Sequence, residues 1–163
     1  MTSPSRLDRL LADRPAELAD AIAASRMVFR VAHLLEARVD AALAPFELSM
    51  REYLALVLIA DDAVEPLRPS DLSTTLDATR VQVTRLLDGL ERKALVQRSP
   101  AKEDRRALQL ALTKAGSRRL KEIAPAVHAA YQEGWSAVGP KATATALKVL
   151  RTVHAGLLPE EAP

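Results

Sequence analysis

The sequence has no cysteine and few aromatic residues, and each scarcity excludes a class of protein. Without cysteine the chain cannot form disulfides, thiolate zinc sites, iron–sulfur clusters or thiol switches. No apolar run approaches the roughly 18 residues of a membrane span. The polar N-terminus does not resemble the apolar core of a signal peptide, so we expect a cytoplasmic protein. Aromatic residues make up 3% of the chain, whereas alanine and leucine, which favour helix, are abundant.

Motifs of catalysis and metal binding are also missing from the sequence. There is no glycine-rich phosphate loop, nucleophile elbow or metal-binding motif. The three histidines, His33, His128 and His154, are widely separated and have no partners at ligand spacing. We therefore expect no enzymatic activity, no metal and no cofactor.

Positive charge is concentrated in the middle of the chain. Residues 80–121 hold twelve basic and four acidic side chains, a net charge of +8, whereas the whole chain has a net charge of +2. Such asymmetry is typical of a segment that binds a polyanion. A solvated helical face is the alternative explanation of the charge alone.

Apolar periodicity predicts long helices on both sides of the basic segment. Apolar residues recur at steps of three and four over residues 17–43, 114–138 and 139–158. The first of these helices would span nearly 40 Å, since each residue adds about 1.5 Å. That length exceeds the width of so small a domain, so we expect its apolar stripe to pack on a second subunit. A short additional helix is predicted over residues 5–13.

The central segment has the pattern of a helix-turn-helix. A short helix is predicted over residues 69–76, because Pro69 suits a first helical turn. Thr79 and Gln82 have the spacing of a capping box, which opens a basic helix over residues 80–93. Two short helices joined by a turn of three or four residues form a helix-turn-helix, and the second one is the recognition helix.

A β-hairpin is predicted directly after the recognition helix. Residues 94–98 and 107–112 read as strands, and leucine alternates along the second one. The polar, basic loop 99–106 lies between them. The predicted fold is therefore mostly α with a small β-hairpin wing: a winged helix-turn-helix with N- and C-terminal dimerisation helices. Its predicted segments are an N-terminal extension (1–16), dimerisation helices (17–48 and 114–158) and the winged helix-turn-helix (49–113).

The order of these motifs resembles the multiple-antibiotic-resistance regulator (MarR) family of bacterial winged-helix repressors. The resemblance is carried by Pro-Ser-Asp-Leu at 69–72, Val-Thr-Arg-Leu-Leu-Asp-Gly-Leu-Glu at 83–91, Ala-Leu-Val-Gln-Arg at 94–98, Asp-Arg-Arg at 104–106 and Leu-Thr-Lys-Ala-Gly at 112–116. It implies a homodimer that binds palindromic double-stranded DNA and releases it when a small ligand binds. Ala94 stands where the family usually has glycine, so the recognition helix is expected to end differently.

Four side chains of the recognition helix are predicted to face the major groove. With the apolar stripe turned to the core, Arg80, Gln82, Thr84 and Arg85 point away from it. Arginine can bind guanine through two hydrogen bonds, and glutamine can bind adenine in the same way. For Gln82, capping of the helix is the alternative. For Arg92 and Lys93 we expect only a favourable interaction with the helix dipole.

Further contacts are predicted outside the groove-facing helix. The predicted phosphate contacts are Ser70 and Thr79, at helix N-termini, and Arg98 and Lys102, in the wing. Arg105 or Arg106 would enter the minor groove, where narrow A·T-rich stretches attract guanidinium groups. Asp104 would shape the wing by holding Arg106 through a charge-assisted hydrogen bond, and an ordinary turn residue is the alternative.

The resemblance also implies an effector pocket between the dimerisation helices and the winged domain. Its ligand would be a small aromatic or phenolic anion. The candidate residues, which add polar or aromatic groups to aliphatic helices, are Arg26, Arg30, His33, Met50, Tyr53 and Trp135. The alternatives are a core position for Met50 and Tyr53, and solvation or dimer pairing for the two arginines.

Two functions from different classes are consistent with these patterns. The first is a ligand-responsive transcriptional regulator, a repressor by resemblance, that binds DNA as a homodimer. The alternative is a winged-helix interaction or dimerisation module without DNA binding. The net charge of +8 over residues 80–121 favours the first, because an interaction surface does not require it.

Overall fold

The computed structural model describes residues 14–61, 67–100 and 108–158. Its elements in chain order are α1 (Ala16–Leu43), α2 (Met50–Ala60), α3 (Pro69–Thr75), α4 (Arg80–Arg92), β1 (Val96–Pro100), β2 (Leu108–Leu112), α5 (Lys114–Trp135) and α6 (Gly139–Leu157). The expected fold class, mostly helical with a small β-hairpin, is confirmed. The helix predicted over residues 5–13 lies outside the described residues. Of the helices that are described, none is long and apolar enough to cross a membrane.

The chain divides into two compact units, Met1–Arg38 and Val39–Pro163. The described part of the first unit, residues 14–38, consists almost entirely of α1. Several of its large apolar side chains are exposed: Leu18, Met27, Val28, Phe29, Val31 and Leu34. Leu18, Val28 and Phe29 belong to the periodic apolar stripe that is expected to pack on a second subunit.

Local capping chemistry sets the helix ends at the start of the second unit. Helix α1 ends at Leu43, and the chain continues through Pro45 as one turn of 3₁₀-helix, Ala44–Phe46. Ser49 then caps α2, because its hydroxyl accepts the Glu52 amide and the Glu52 carboxylate accepts the Ser49 amide. The Met50 amide, another free donor at this terminus, is bound by the Asp40 carboxylate at 2.6 Å.

The helix-turn-helix is built from α3 and α4. The Asp71 carboxylate accepts the Arg68 amide at 2.8 Å, so arginine precedes this helix without a capping side chain of its own. Asp77 has a φ of 46° in the turn, and aspartate tolerates this left-handed conformation better than most residues. Thr79 and Gln82 form the predicted capping box at the start of α4.

The end of α4 keeps the left-handed geometry that glycine favours, although alanine occupies the position. Ala94 has a φ of 56°. Its amide bonds to the Glu91 carbonyl at 2.8 Å, and the Leu95 amide bonds to the Leu90 carbonyl at 3.0 Å. These two bonds form a Schellman motif, and the buried Leu90 and Leu95 accompany it. The expectation that alanine would change how this helix ends is therefore wrong.

The wing begins two residues later than the sequence predicts, because residues 93–95 close α4. The strands are antiparallel, with Val96 opposite Leu112 and Pro100 opposite Leu108. Only Leu110 of the alternating leucines is fully buried, whereas Leu108 is 45% exposed at the outer end of the hairpin. The Leu110 amide also donates to the Leu67 carbonyl at 2.9 Å, which ties the hairpin to the segment before α3.

A single core joins α2, α3, α4, the hairpin and α5. Its fully buried side chains include Leu43, Leu56, Leu72, Leu87, Leu90, Ile123 and Val127. Helix α5 starts close to the wing: the Thr113 hydroxyl donates to the Ala94 carbonyl at 2.7 Å and accepts the Gly116 amide at 2.9 Å. A Cβ on Gly116 would overlap the Leu95 carbonyl oxygen, so only glycine permits this approach.

Candidate nucleic-acid interface

One face of α4 is committed to the core. Val83, Leu87 and Leu90 are buried, and Leu86 lies at the edge of this stripe. Their spacing of three and four residues places them on one side of the helix. The remaining circumference of α4 is divided into two flanks and an outward face.

The first flank of α4 faces the N-terminal end of α2. Lys93, directly after the helix, donates to the Glu52 carboxylate at 2.8 Å and also to the Glu47 carbonyl. Gly89 lies beside the same carboxylate, and a shallow cleft lined by Ser49 and Gln82 separates the two helices further along. Lys93 thus fixes the end of α4, rather than only offsetting the helix dipole.

The second flank of α4 faces strand β1 through Arg98. One guanidinium nitrogen lies 2.6 Å from the Asp88 carboxylate and 3.5 Å from the Thr84 carbonyl oxygen. The Nε atom lies 3.4 Å from the Glu91 carboxylate, although its alignment is too poor for a hydrogen bond. One cation therefore compensates both acidic residues of the helix.

The arrangement of Arg98 does not fit the predicted phosphate contact. Its side chain is 23% exposed, and its charge is shared between Asp88 and Glu91. A phosphate would have to displace carboxylates that are already in contact. In the structure Arg98 instead fastens the wing strand to α4 and offsets part of the negative charge of the acidic residues beside the basic surface.

The outward face of α4 lies opposite the core stripe. It carries Val81, Arg85, Asp88 and Arg92, which follow one another at steps of four, three and four residues. Arg85 is exposed and makes no ion pair with any described residue, and the same is true of Arg80 in the first turn. Arg92, by contrast, folds back, and its Nε donates to the Asp88 carbonyl at 3.3 Å.

The capping alternative for Gln82 is the one that the structure supports. Its side-chain oxygen accepts the Thr79 amide at 2.8 Å and the Thr79 hydroxyl at 3.0 Å. The Thr79 hydroxyl in turn accepts the Gln82 amide at 3.3 Å. Both side chains are exposed, but their oxygens already serve the helix terminus.

The hydroxyls of Ser70 and Thr84 also have partners within their own helices. The Ser70 hydroxyl donates to the Asp71 carboxylate at 3.3 Å in the first turn of α3. The Thr84 hydroxyl donates to the Arg80 carbonyl at 2.9 Å. Each hydroxyl is exposed and keeps an oxygen lone pair for a further donor. The remaining predicted contacts, Lys102, Arg105 and Arg106, and the wing-shaping Asp104, lie outside the described residues.

The effector candidates are divided between the two units. Arg26, Arg30 and His33 are exposed on α1 in the first unit. In the second unit Tyr53 is 6% exposed and packs in the core, with Met50 partly buried against it. These two residues therefore follow the core alternative. Burial raises the pKa of the Tyr53 phenol above its ordinary value, and the nearby Tyr131 raises it further.

Trp135 lies in a different place from these core residues. It lines a groove between the end of α5 and the start of α6, together with Gln132, Pro140 and Leu147. Neither Met50 nor Tyr53 contributes to this groove. Throughout the described ranges, no group of three or more histidine, aspartate and glutamate side chains is placed to hold a metal ion.

Two features of this surface are not among the contacts that the sequence predicts. The ion pairs of Arg98 join residues ten and seven positions apart across a turn, and no local pattern announces them. Val81 is exposed on the outward face of α4. Its position two residues before Val83, outside the core stripe, was a signal that could have revealed this exposure from the sequence.

The comparisons with known proteins agree with this geometry. Residues 48–108 match the model of the MarR family. The chain carries a MarR-family domain. The resemblance inferred from the sequence motifs is thereby confirmed, and the matched segment extends from the residue before the α2 cap to the first residue of β2.

The chain is also similar to individual transcriptional regulators among curated proteins and solved structures. The transcriptional repressor MprA of Escherichia coli (strain K12) is 34% identical over 86 residues, which cover 53% of this chain and 49% of MprA. The match thus spans about half the length of that relative. The structure of AbsC, a MarR family transcriptional regulator from Streptomyces coelicolor, matches with a TM-score of 0.75 and 26% identity, over 83% of this chain and 92% of AbsC.

A ligand-bound structure is also similar to this chain. CouR from Rhodococcus jostii RHA1, solved with p-coumaroyl-CoA bound, matches with a TM-score of 0.71 and 26% identity. The match covers 82% of this chain and 93% of CouR. The fold around the MarR-family domain is therefore shared with these regulators over most of the chain.

Proposed function

We propose that the protein is a ligand-responsive transcriptional regulator that binds a palindromic DNA operator as a homodimer and acts as a repressor. The observation that carries this proposal is the charge arrangement around α4. Arg80 and Arg85 are exposed and make no ion pair with a described residue, whereas Arg98 pairs with the carboxylates of Asp88 and Glu91. The exposed N-terminal part of α4 is therefore cationic, as a groove-binding helix requires.

The proposed DNA contacts fall into two groups. Arg85 and Arg80 reach the base edges of the major groove, where each good bidentate pair discriminates by about 1–3 kcal/mol. Gln82 contributes to base reading through its side-chain amide nitrogen, since its oxygen is used in the cap. Thr84 faces the major groove beside these residues. The remaining contacts are to the sugar–phosphate backbone, from Ser70, Thr79 and Lys102, and to the minor groove, from Arg105 or Arg106 held by Asp104.

The homodimer is proposed from the uncovered apolar side chains of α1 and α6. No residue of α6 is buried, and Leu147, Val153 and Leu157 are exposed along it. Exposed apolar surface of this extent is rare in monomers, and pairing across a two-fold axis would cover it. A symmetric dimer would also present two copies of α4 to half-sites about one helical turn apart.

The proposed effector is a small aromatic or phenolic acid. The CouR structure with p-coumaroyl-CoA supports an aromatic ligand for a protein of this fold. On this chain Arg26, Arg30 and His33 offer exposed polar groups on α1, and Trp135 offers an aromatic surface in the α5–α6 groove. Tyr53 and Met50 are left out because they belong to the core.

A gel-shift assay against the intergenic DNA upstream of the protein's own gene, at two salt concentrations, tests the proposal. We expect a discrete complex that weakens as salt rises, and a repeat with aromatic acids should identify one that releases the DNA. MprA, named a transcriptional repressor, supports the repressor assignment. Absence of a complex even at low salt would instead favour the interaction module without DNA binding.

A further inference from the structure

Val81 presents an apolar side chain at the N-terminal end of the otherwise polar outward face of α4. It is 60% exposed in the first turn of α4. Valine is a poor helix former compared with the alanine or glutamate that a solvated position would accommodate. Neither the helix propensity of valine nor packing within the domain explains this side chain.

The surroundings of Val81 restrict what could cover it. One flank of α4 is occupied by α2 through Lys93 and Glu52, and the other by β1 through Arg98. Val81 lies on the face between these flanks, one turn before Arg85. The surface that would cover Val81 is therefore the same surface that Arg85 would touch.

In a major groove, apolar surface comes mainly from the 5-methyl group of thymine. Guanine, cytosine and adenine offer hydrogen-bonding groups there, whereas thymine adds a methyl group that side chains such as alanine and threonine contact. A valine one turn from a base-reading arginine is placed to make such a contact. Burying one methyl group on another surface contributes about 0.8 kcal/mol, roughly a fourfold change in affinity.

We propose that Val81 is a specificity-determining residue that recognises the methyl group of one thymine per half-site. This inference rests on the proposed function, since it requires α4 to enter the major groove. It adds a component of base recognition that does not depend on charge, beside the arginine contacts. A protein partner that docks on the same face is the competing explanation of the exposed valine.

Deoxyuridine substitution tests the inference directly. The probe is a duplex that the wild-type protein selects from a randomised DNA pool, in which each thymine is replaced in turn by deoxyuridine. We expect the wild-type protein to lose roughly threefold to tenfold in affinity at one thymine per half-site. Val81→Ala should bind more weakly and show no thymine–uracil difference at that position.

Two control variants test whether the thymine preference depends on a methyl group at position 81. Val81→Thr keeps a methyl group in nearly the same place, so it should retain the thymine preference. Val57→Ala removes two methyl groups from a partly exposed side chain on α2, away from the outward face of α4. This variant should behave as the wild type. Circular dichroism and thermal melting of each variant separate a folding defect from a lost contact.

The results distinguish the inference from the proposed function. If the wild type selects no duplex, the proposed function fails and the inference fails with it. If the wild type selects a duplex but Val81→Ala keeps the full thymine–uracil difference, only the inference is overturned, and a protein partner becomes the better explanation of Val81. Loss of the difference in Val81→Ala, with its retention in Val81→Thr, supports the inference.

Discussion

At the scale of single residues, Ala94 combines an unfavourable backbone conformation with a structurally important position. Its φ of 56° is left-handed, which costs an L-residue with a Cβ about 1–2 kcal/mol. We expect Ala94→Gly to raise the free energy of unfolding by about 1 kcal/mol, after allowance for the greater freedom of glycine in the unfolded chain. Chemical denaturation measures the change. Ala129→Gly, in the middle of α5, is the matched control and should lower stability by a similar amount. A loss of stability in Ala94→Gly would contradict the inference that the left-handed conformation at position 94 is unfavourable for alanine.

Gly116 is the residue that permits α5 to approach the end of α4. A Cβ at this position would overlap the Leu95 carbonyl oxygen, which belongs to the backbone and cannot move aside cheaply. We therefore expect Gly116→Ala to lower the free energy of unfolding by at least about 2 kcal/mol, a value in the range for overpacking. Thermal melting checks this. Gly156→Ala, where a Cβ meets nothing within 4 Å, should leave stability unchanged or slightly higher.

At the scale of elements, the link between the wing strand and α4 depends on Arg98. Arg98→Ala should weaken DNA binding, because Asp88 and Glu91 would then face the phosphates uncompensated. The slope of log affinity against log salt should stay as in the wild type, since no phosphate contact is lost. Replacing a side chain that does bind a phosphate, such as the one proposed at Lys102, should reduce that slope by about 0.9 per subunit. A reduced slope for Arg98→Ala would show that Arg98 does bind a phosphate, as the sequence predicts.

The sequence predicts the elements well where the deciding chemistry is local. The cap at Thr79 follows from residues three apart, and the core stripe of α4 follows from helical spacing. What the sequence could not predict depends on contacts between distant residues. Lys93 meets Glu52 across 41 positions. The start of β1 shifts because Ala94 accepts a glycine-like conformation, which its side chain disfavours.

At the scale of the whole molecule, the apolar side chains of α6 define the expected dimer. Val153→Glu and Leu157→Glu introduce charges at exposed positions on the same side of this helix, where Leu157 is 79% exposed. Each should shift the protein towards monomer in sedimentation velocity and abolish binding to a palindromic duplex. Thr152→Glu, on the opposite side of α6, is the control and should remain dimeric. A monomeric wild-type protein would contradict the proposed assembly.

The most direct test of the central claim is the affinity of the wild-type protein for its selected palindromic duplex, measured by fluorescence anisotropy over a series of salt concentrations. If a dimer neutralises about 8 phosphates, log affinity should fall against log salt with a slope of about −7. A slope near zero, or no binding at the lowest salt, would contradict the claim that the cationic face of α4 and the wing bind DNA.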